Sequence, residues 1–178
     1  MTFSSLLPAY YAEQGLPIHG GQQGWVDWIS VYGVPVPIPN PPARKRALDH
    51  HDAHHMITGY QTDWRGEAEV AAWAYGARGR STWLALAADG AGFALGILTP
   101  RRTARAYLRG RGCRTLYTIE RPDLLNSSLE ALRTHTGIDR PFTPALKDWA
   151  AFALTFAAAL ALTPLLAGPA FLWGALTE

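Results

Sequence analysis

Four of the six histidines in this 178-residue chain fall within six residues, His50–His55, and two glutamates, Glu67 and Glu69, follow shortly after. The spacing is His51-Asp52-x-x-His55, then eleven residues, then Glu67. On a helix His51 and His55 project from one face, one turn apart. Asp52 lies roughly 100° around that helix, where it can reach a shared ion from the side or hold a ligating imidazole through its other ring nitrogen. Two imidazoles with one or two carboxylates form a mixed nitrogen and oxygen set suited to zinc, iron, cobalt or manganese. With three or four protein ligands, a coordination position can stay open for substrate. The pair His50/His54 has the same spacing on an adjacent face, and geometry alone does not choose between the pairs. Peptide hydrolysis is disfavoured: the zinc-protease pattern HExxH needs a glutamate after the first histidine, and the shorter Asp52 falls short of a general base placed there.

The elements that must position these groups are two helices and a turn. The first helix is predicted to open near Pro42 or Ala43, with Arg44-Lys45-Arg46 in its first turns. Gly59-Tyr60-Gln61-Thr62-Asp63 reads as the turn, with Thr62 or Asp63 as N-cap of the next helix. Glu67 then sits about one turn in, able to face the histidines. Ala68, Val70, Ala71, Trp73 and Ala74 mark that helix as buried. Glu69 is about 200° around from Glu67, so only one of the two can readily face the site.

This arrangement resembles the coenzyme Q (ubiquinone) biosynthesis metal-binding family, whose signature HDxxHx11E stands here as His51, Asp52, His55 and Glu67. A later stretch is similar to the same family: Ala106-Tyr107-Leu108-Arg109-Gly110-Arg111, then Leu124-Leu125, Leu129-x-x-Leu132-Arg133 and Gly137-Ile138. The likeness spans roughly Pro35 to Ile138. It implies a mostly helical protein at a membrane, with a divalent metal, zinc first among candidates, on those four residues. Its register favours Glu67 over Glu69, which is then expected to be solvated or to support the site from behind. It also implies a role in replacing the carboxyl group of a prenylated benzoate by hydroxyl, or in organising other ubiquinone-biosynthesis enzymes. The alternative is a non-catalytic scaffold that binds lipid or quinone and uses the metal as a structural staple. A metal hydrolase of another substrate is disfavoured because no serine, cysteine or well-placed base accompanies the site. His50, His54 and the apolar tail are additions to the family pattern.

Composition sets the outer limits. Apolar residues make up 48% and charged residues only 17%, below the usual quarter, which excludes disorder and favours contact with an apolar phase. A net charge of +2 gives no support for nucleic acid as a partner. The single Cys113 excludes an internal disulfide and is expected to be a buried thiol. The N-terminus has neither a signal-peptide pattern nor the arginines of a transit peptide, so a bacterial cytoplasmic face is expected.

Elsewhere, Trp25, Trp28, Ile29, Val31 and Tyr32 are spaced for an apolar helical stripe over two turns. The prolines of Val34–Pro42 force an extended strap. Thr82–Leu98 reads as a buried helix, or as two short elements turning at Asp89-Gly90, whose glycines permit close packing or leave a groove for an isoprenoid chain. Six arginines lie between Arg101 and Arg114 without an acid. Of these, Arg101, Arg102, Arg105 and Arg109 share one face of a helix opened by Pro100, a face for lipid headgroups or a substrate carboxylate. Ser127-Ser128-Leu129-Glu130 reads as a capping box for a helix ending near Gly137, with His135 a surface residue. From Trp149 to Thr177 no residue is charged. Pro164, Gly168 and Pro169 interrupt this stretch, which reads as a kinked membrane anchor in preference to a buried hairpin.

The expected architecture is therefore all-α: a compact helical metal-binding domain over 1–147 and an apolar, membrane-associating tail over 148–178. The domain is expected to face the cytoplasm at a bacterial inner membrane, and the chain to form a homo-oligomer. Its partner is expected to be a prenylated aromatic quinone precursor or another isoprenoid lipid.

Overall fold

The computed structural model describes residues 1–16, 26–40, 42–78 and 83–176; side chains are not described at 27, 29, 36–39, 43, 83–88 and 163–176. Among the described residues the chain is all-α apart from one hairpin. Helix α1 (Phe3–Gln14) precedes strands β1 (Val26–Val31) and β2 (Val34–Pro39), which pair antiparallel. Then come α2 (Pro42–Thr58), α3 (Trp64–Gly76), α4 (Trp83–Leu95), α5 (Pro100–Arg111), α6 (Arg121–Asn126), α7 (Leu129–Thr136) and α8 (Leu146–Leu176).

The hairpin replaces the helical stripe expected around Trp28; Trp25, part of that stripe, lies outside the described residues. Tyr32 and Gly33 both have positive φ (51° and 83°), the backbone of a two-residue hairpin turn whose twist suits paired strands. Pro35, Pro37 and Pro39 pair with Ser30, Trp28 and Val26. Their alternation leaves the N–H groups of Val34, Val36 and Ile38 to meet β1 and removes every donor from the opposite edge of β2. The expected extended strap is thus present, but as one strand of a pair.

The helices carry the site. Asp63 caps α3 by accepting from the Gly66 N–H at 2.8 Å, as its sequence position predicts. At the far end of α3, glycines set the crossing with α5: a Cβ on Gly76 would stand 2.0 Å from the Tyr107 carbonyl oxygen, and one on Gly110 would stand 2.2 Å from that of Trp73. Only hydrogen at both positions allows this approach. Helix α4 runs unbroken through Asp89-Gly90, so the pair marks no turn. Gly92 brings α4 against α3, where a Cβ would lie 3.1 Å from the Glu67 carbonyl oxygen.

Two apolar clusters hold the assembly. One gathers Phe3, Ile57, Trp73, Leu116, Leu124 and Leu132 beneath α2. The other centres on Phe93, stacked 4.6 Å from Tyr75 and tilted against Phe156 at 5.1 Å. Helix α8 therefore begins as part of the domain: Phe152 and Phe156 pack on α4 and α5, and Arg111 pairs with Asp148 at 3.0 Å. Its backbone continues to Leu176 as one helix, without the return of a hairpin. Among the described residues no helix is long and apolar enough to cross a membrane. Of the Trp149–Thr177 stretch expected to form the anchor, the side chains from 163 onward lie outside the described residues.

Candidate metal centre

Of the two histidine pairs on α2, His51 and His55 converge. Their Nε2 atoms lie 3.1 Å apart, and Glu67 from α3 closes the group, with Oε2 3.0 Å from His51 and Oε1 3.2 Å from His55. An ion about 2.0–2.1 Å from two nitrogens at a tetrahedral angle holds them about 3.3 Å apart. The observed separations match that edge, and the three residues can hold a metal ion.

Both imidazoles are fixed from behind. His55 donates from Nδ1 to the Tyr60 carbonyl at 3.0 Å, and His51 donates from Nδ1 to Asp89 Oδ1 at 3.2 Å. With Nδ1 protonated on each, a neutral imidazole turns its Nε2 lone pair to the centre, the tautomer a metal ligand needs. Asp89, on α4, is almost completely buried, accepts also from the Tyr117 hydroxyl at 3.2 Å, and leaves its Oδ2 without a hydrogen-bond partner among the described residues. One carboxylate at the centre and another behind His51 match the charge of a divalent cation.

The electrostatics agree. Burial disfavours the His51 imidazolium, but Glu67 and Asp89 more than offset it and raise its pKa to about 10. Burial likewise opposes charge on Glu67, yet His51 and His55 hold its carboxyl well below the usual carboxylate range. Side-chain exposure is 11% for His51, 1% for His55 and 22% for Glu67, so the centre opens to solvent on the Glu67 side.

Asp52, expected as a fourth ligand, stands outside this group. Its Oδ2 accepts from the Tyr11 hydroxyl at 2.6 Å, and burial pushes its pKa up against that bond. The pair His50/His54 does other work. His54 is fully buried against Trp73 and Tyr117; its Nε2 accepts from the Leu116 N–H at 3.0 Å, and burial drives its pKa well below the ordinary value. His50 donates from Nε2 to the Ile119 carbonyl at 2.9 Å. Together they pin the 3-10 turn at Leu116–Thr118, which carries Tyr117 to Asp89.

Other sequence expectations resolve unevenly. Glu69 is neither solvated nor behind the centre: it is buried and receives a two-point bond from Arg102, at 3.0 and 2.7 Å. Arg109 donates to the Thr58 carbonyl at 3.0 Å, at the C-terminus of α2, and lies over the Tyr60 ring. Arg101 and Arg105 remain exposed on the α5 face. Cys113 is buried, with burial raising its thiol pKa, as an inert thiol should be. Asp89 is the site residue that the spacing did not reveal. Its signal was a lone acid in an otherwise apolar helix, which must find a partner when buried. No family model matches the chain, and neither the curated proteins nor the solved structures include a match.

Proposed function

We propose that this chain is a metal-binding protein of ubiquinone biosynthesis, acting at a membrane on a prenylated hydroxybenzoate whose ring carboxyl is replaced by hydroxyl. The observation that carries this reading is the convergence of His51, His55 and Glu67, at the HDxxHx11E spacing, with both Nδ1 atoms already engaged. Zinc heads the candidates for an ion held by two imidazoles and a carboxylate, ahead of iron, cobalt and manganese. Bound there, a metal supplies Lewis acidity toward a phenol or carboxylate oxygen and, if redox-active, a route to dioxygen as the oxidant. The protein's own part is to orient two imidazoles, to neutralise the ion with Glu67 and Asp89, and to admit substrate on the Glu67 side. Exposed Trp149, Leu154 and Leu162 on α8 support a membrane-facing position.

A second reading, a lipid-binding scaffold with a structural metal, is favoured by the near-complete burial of His55. Metal content by mass spectrometry on protein purified without chelator, followed by incubation with a prenylated 4-hydroxybenzoate under air, separates the two. Stoichiometric metal with loss of carbon dioxide and gain of a ring hydroxyl, both absent in His55→Ala, establishes the enzyme. Metal and lipid bound without turnover select the scaffold, and no metal in the parent protein sinks both.

A further inference from the structure

A second cluster of charge lies away from the metal centre and shares no residue with it. Arg78, after α3, forms a parallel bridge with Arg114, after α5, through Arg78 N–H to Cys113 O at 3.0 Å and Thr115 N–H to Arg78 O at 2.9 Å. A third bond, Arg114 N–H to Thr136 O at 2.9 Å, ties this bridge to the end of α7. There Gly137, at φ +69°, terminates α7, and Arg140 packs back against it. A cavity of about 420 Å³ results, bordered by Arg78, Arg114, Arg140, His135, Thr134 and Cys113.

Among the described residues no carboxylate borders this cavity. The neighbouring Asp139 is engaged by Arg133, and among the described residues none of the three bordering guanidiniums has an acidic partner. Arginine keeps its charge at any physiological pH, so the cavity stays cationic. The backbone N–H groups of Cys113, Arg114, Gly137 and Arg140 are already spent on carbonyls, which leaves recognition to side chains. Three planar forks, a ring nitrogen and a hydroxyl offer more donors than one carboxylate can accept. A tetrahedral dianion with several terminal oxygens uses them.

We infer that this cavity, framed by Arg78, Arg114 and Arg140, binds a phosphate dianion, either free or as the monoester end of a larger molecule. The volume leaves room beyond the phosphate itself. Both a soluble phosphate ester and a phosphatidate headgroup present this chemistry.

Calorimetric titration of the full-length protein with inorganic phosphate tests the site, against potassium chloride at matched ionic strength. Saturable binding of phosphate alone is expected, weakened about tenfold by Arg114→Gln and by Arg140→Gln, since each removes charge-assisted hydrogen bonds. Arg101→Gln with Arg105→Gln, on the other basic face, should leave it unchanged. Arg140→Lys, which keeps the charge but not the fork, should fall between. Co-sedimentation with phosphatidylcholine vesicles carrying phosphatidate then separates the sources. Binding lost in the same variants and displaced by phosphate assigns the lipid headgroup, and vesicle binding indifferent to them assigns a soluble ester. A chloride response equal to that of phosphate, or unaltered phosphate affinity in both Gln variants, overturns the proposal.

Discussion

Helix α2 carries two histidine pairs of identical spacing, and they have different physical fates. His51/His55 meets carboxylates, Glu67 from α3 and Asp89 from α4, and its Nε2 atoms converge. His50/His54 meets backbone, the Leu116 N–H and the Ile119 carbonyl, and its rings fix a turn. The side chains are the same, so what stands across from each decides its chemistry. An imidazole facing carboxylates is poised for a cation or a proton. One that accepts from a buried amide is a neutral strut. The pairs also cooperate, since the turn held by His50 and His54 delivers Tyr117 to the Asp89 oxygen that receives His51.

The two pairs differ most at His55. Its replacement by alanine should lower metal affinity by more than about 100-fold, beyond what loss of a supporting group costs. Mass spectrometry of the purified variant should find less than a tenth of the parent's metal. His54→Ala should instead leave metal stoichiometry intact while destabilising the fold. It strands the Leu116 N–H and opens a cavity beside Trp73, together about 3 kcal/mol. In a chain of this length that lowers the melting temperature by roughly 6–12 °C. If His54→Ala loses metal at unchanged stability, the division of labour between the pairs is wrong.

Much of this division was out of reach of the sequence, for a definite reason. Periodicity and capping residues place side chains around one helix axis, and they locate α2 and the Asp63 cap, while Glu67 is preferred to Glu69 only through the family register. They say little about the rotation of that helix against its neighbours, which here follows from close contacts such as Gly92 on Glu67 and Gly76 on Tyr107. The choice of His51/His55 over His50/His54 therefore came from the family resemblance and not from spacing. Asp52 and Glu69 show the same limit. The angle around one helix places each relative to His51 or Glu67, yet Tyr11 from α1 and Arg102 from α5 engage them. The hairpin is hard to read from sequence because alternation in β1 is short and its aromatic residues also fit a two-turn stripe.

Asp89→Asn acts on the same pair from behind the centre. The amide is nearly isosteric, but it removes the negative charge behind His51 and can turn an NH2 toward Nδ1. Metal affinity should fall about 10–100-fold, the range for a group that orients a ligating histidine. Thermal stability of the metal-free protein should change far less than in His54→Ala. Competition titration with a chromophoric chelator reads the affinity directly; parent-like affinity in Asp89→Asn would make the His51 contact incidental.

The smallest effect concerns a proton. In the metal-free protein the pKa of His51 is raised to about 10 from an ordinary 6.5. Its pairing with Glu67 and Asp89 therefore stabilises the fold fully below about pH 6.5 and is lost as pH rises through 10. The depressed pKa of Glu67 works in the opposite sense, with its contribution present above about 4.5 and lost on acidification. A metal ion on Nε2 must displace the His51 proton. Between pH 7 and 9, uptake should then release about one proton per ion, and affinity should rise by about tenfold per pH unit. Calorimetry in buffers of different ionisation enthalpy measures the release. His50→Ala and His54→Ala should preserve it, since neither touches the Nε2 atoms. Glu67→Gln should reduce it, because the charge that most raises the His51 pKa is gone. A full proton released by Glu67→Gln would mean that another group, and not the His51–Glu67 pair, gives it up.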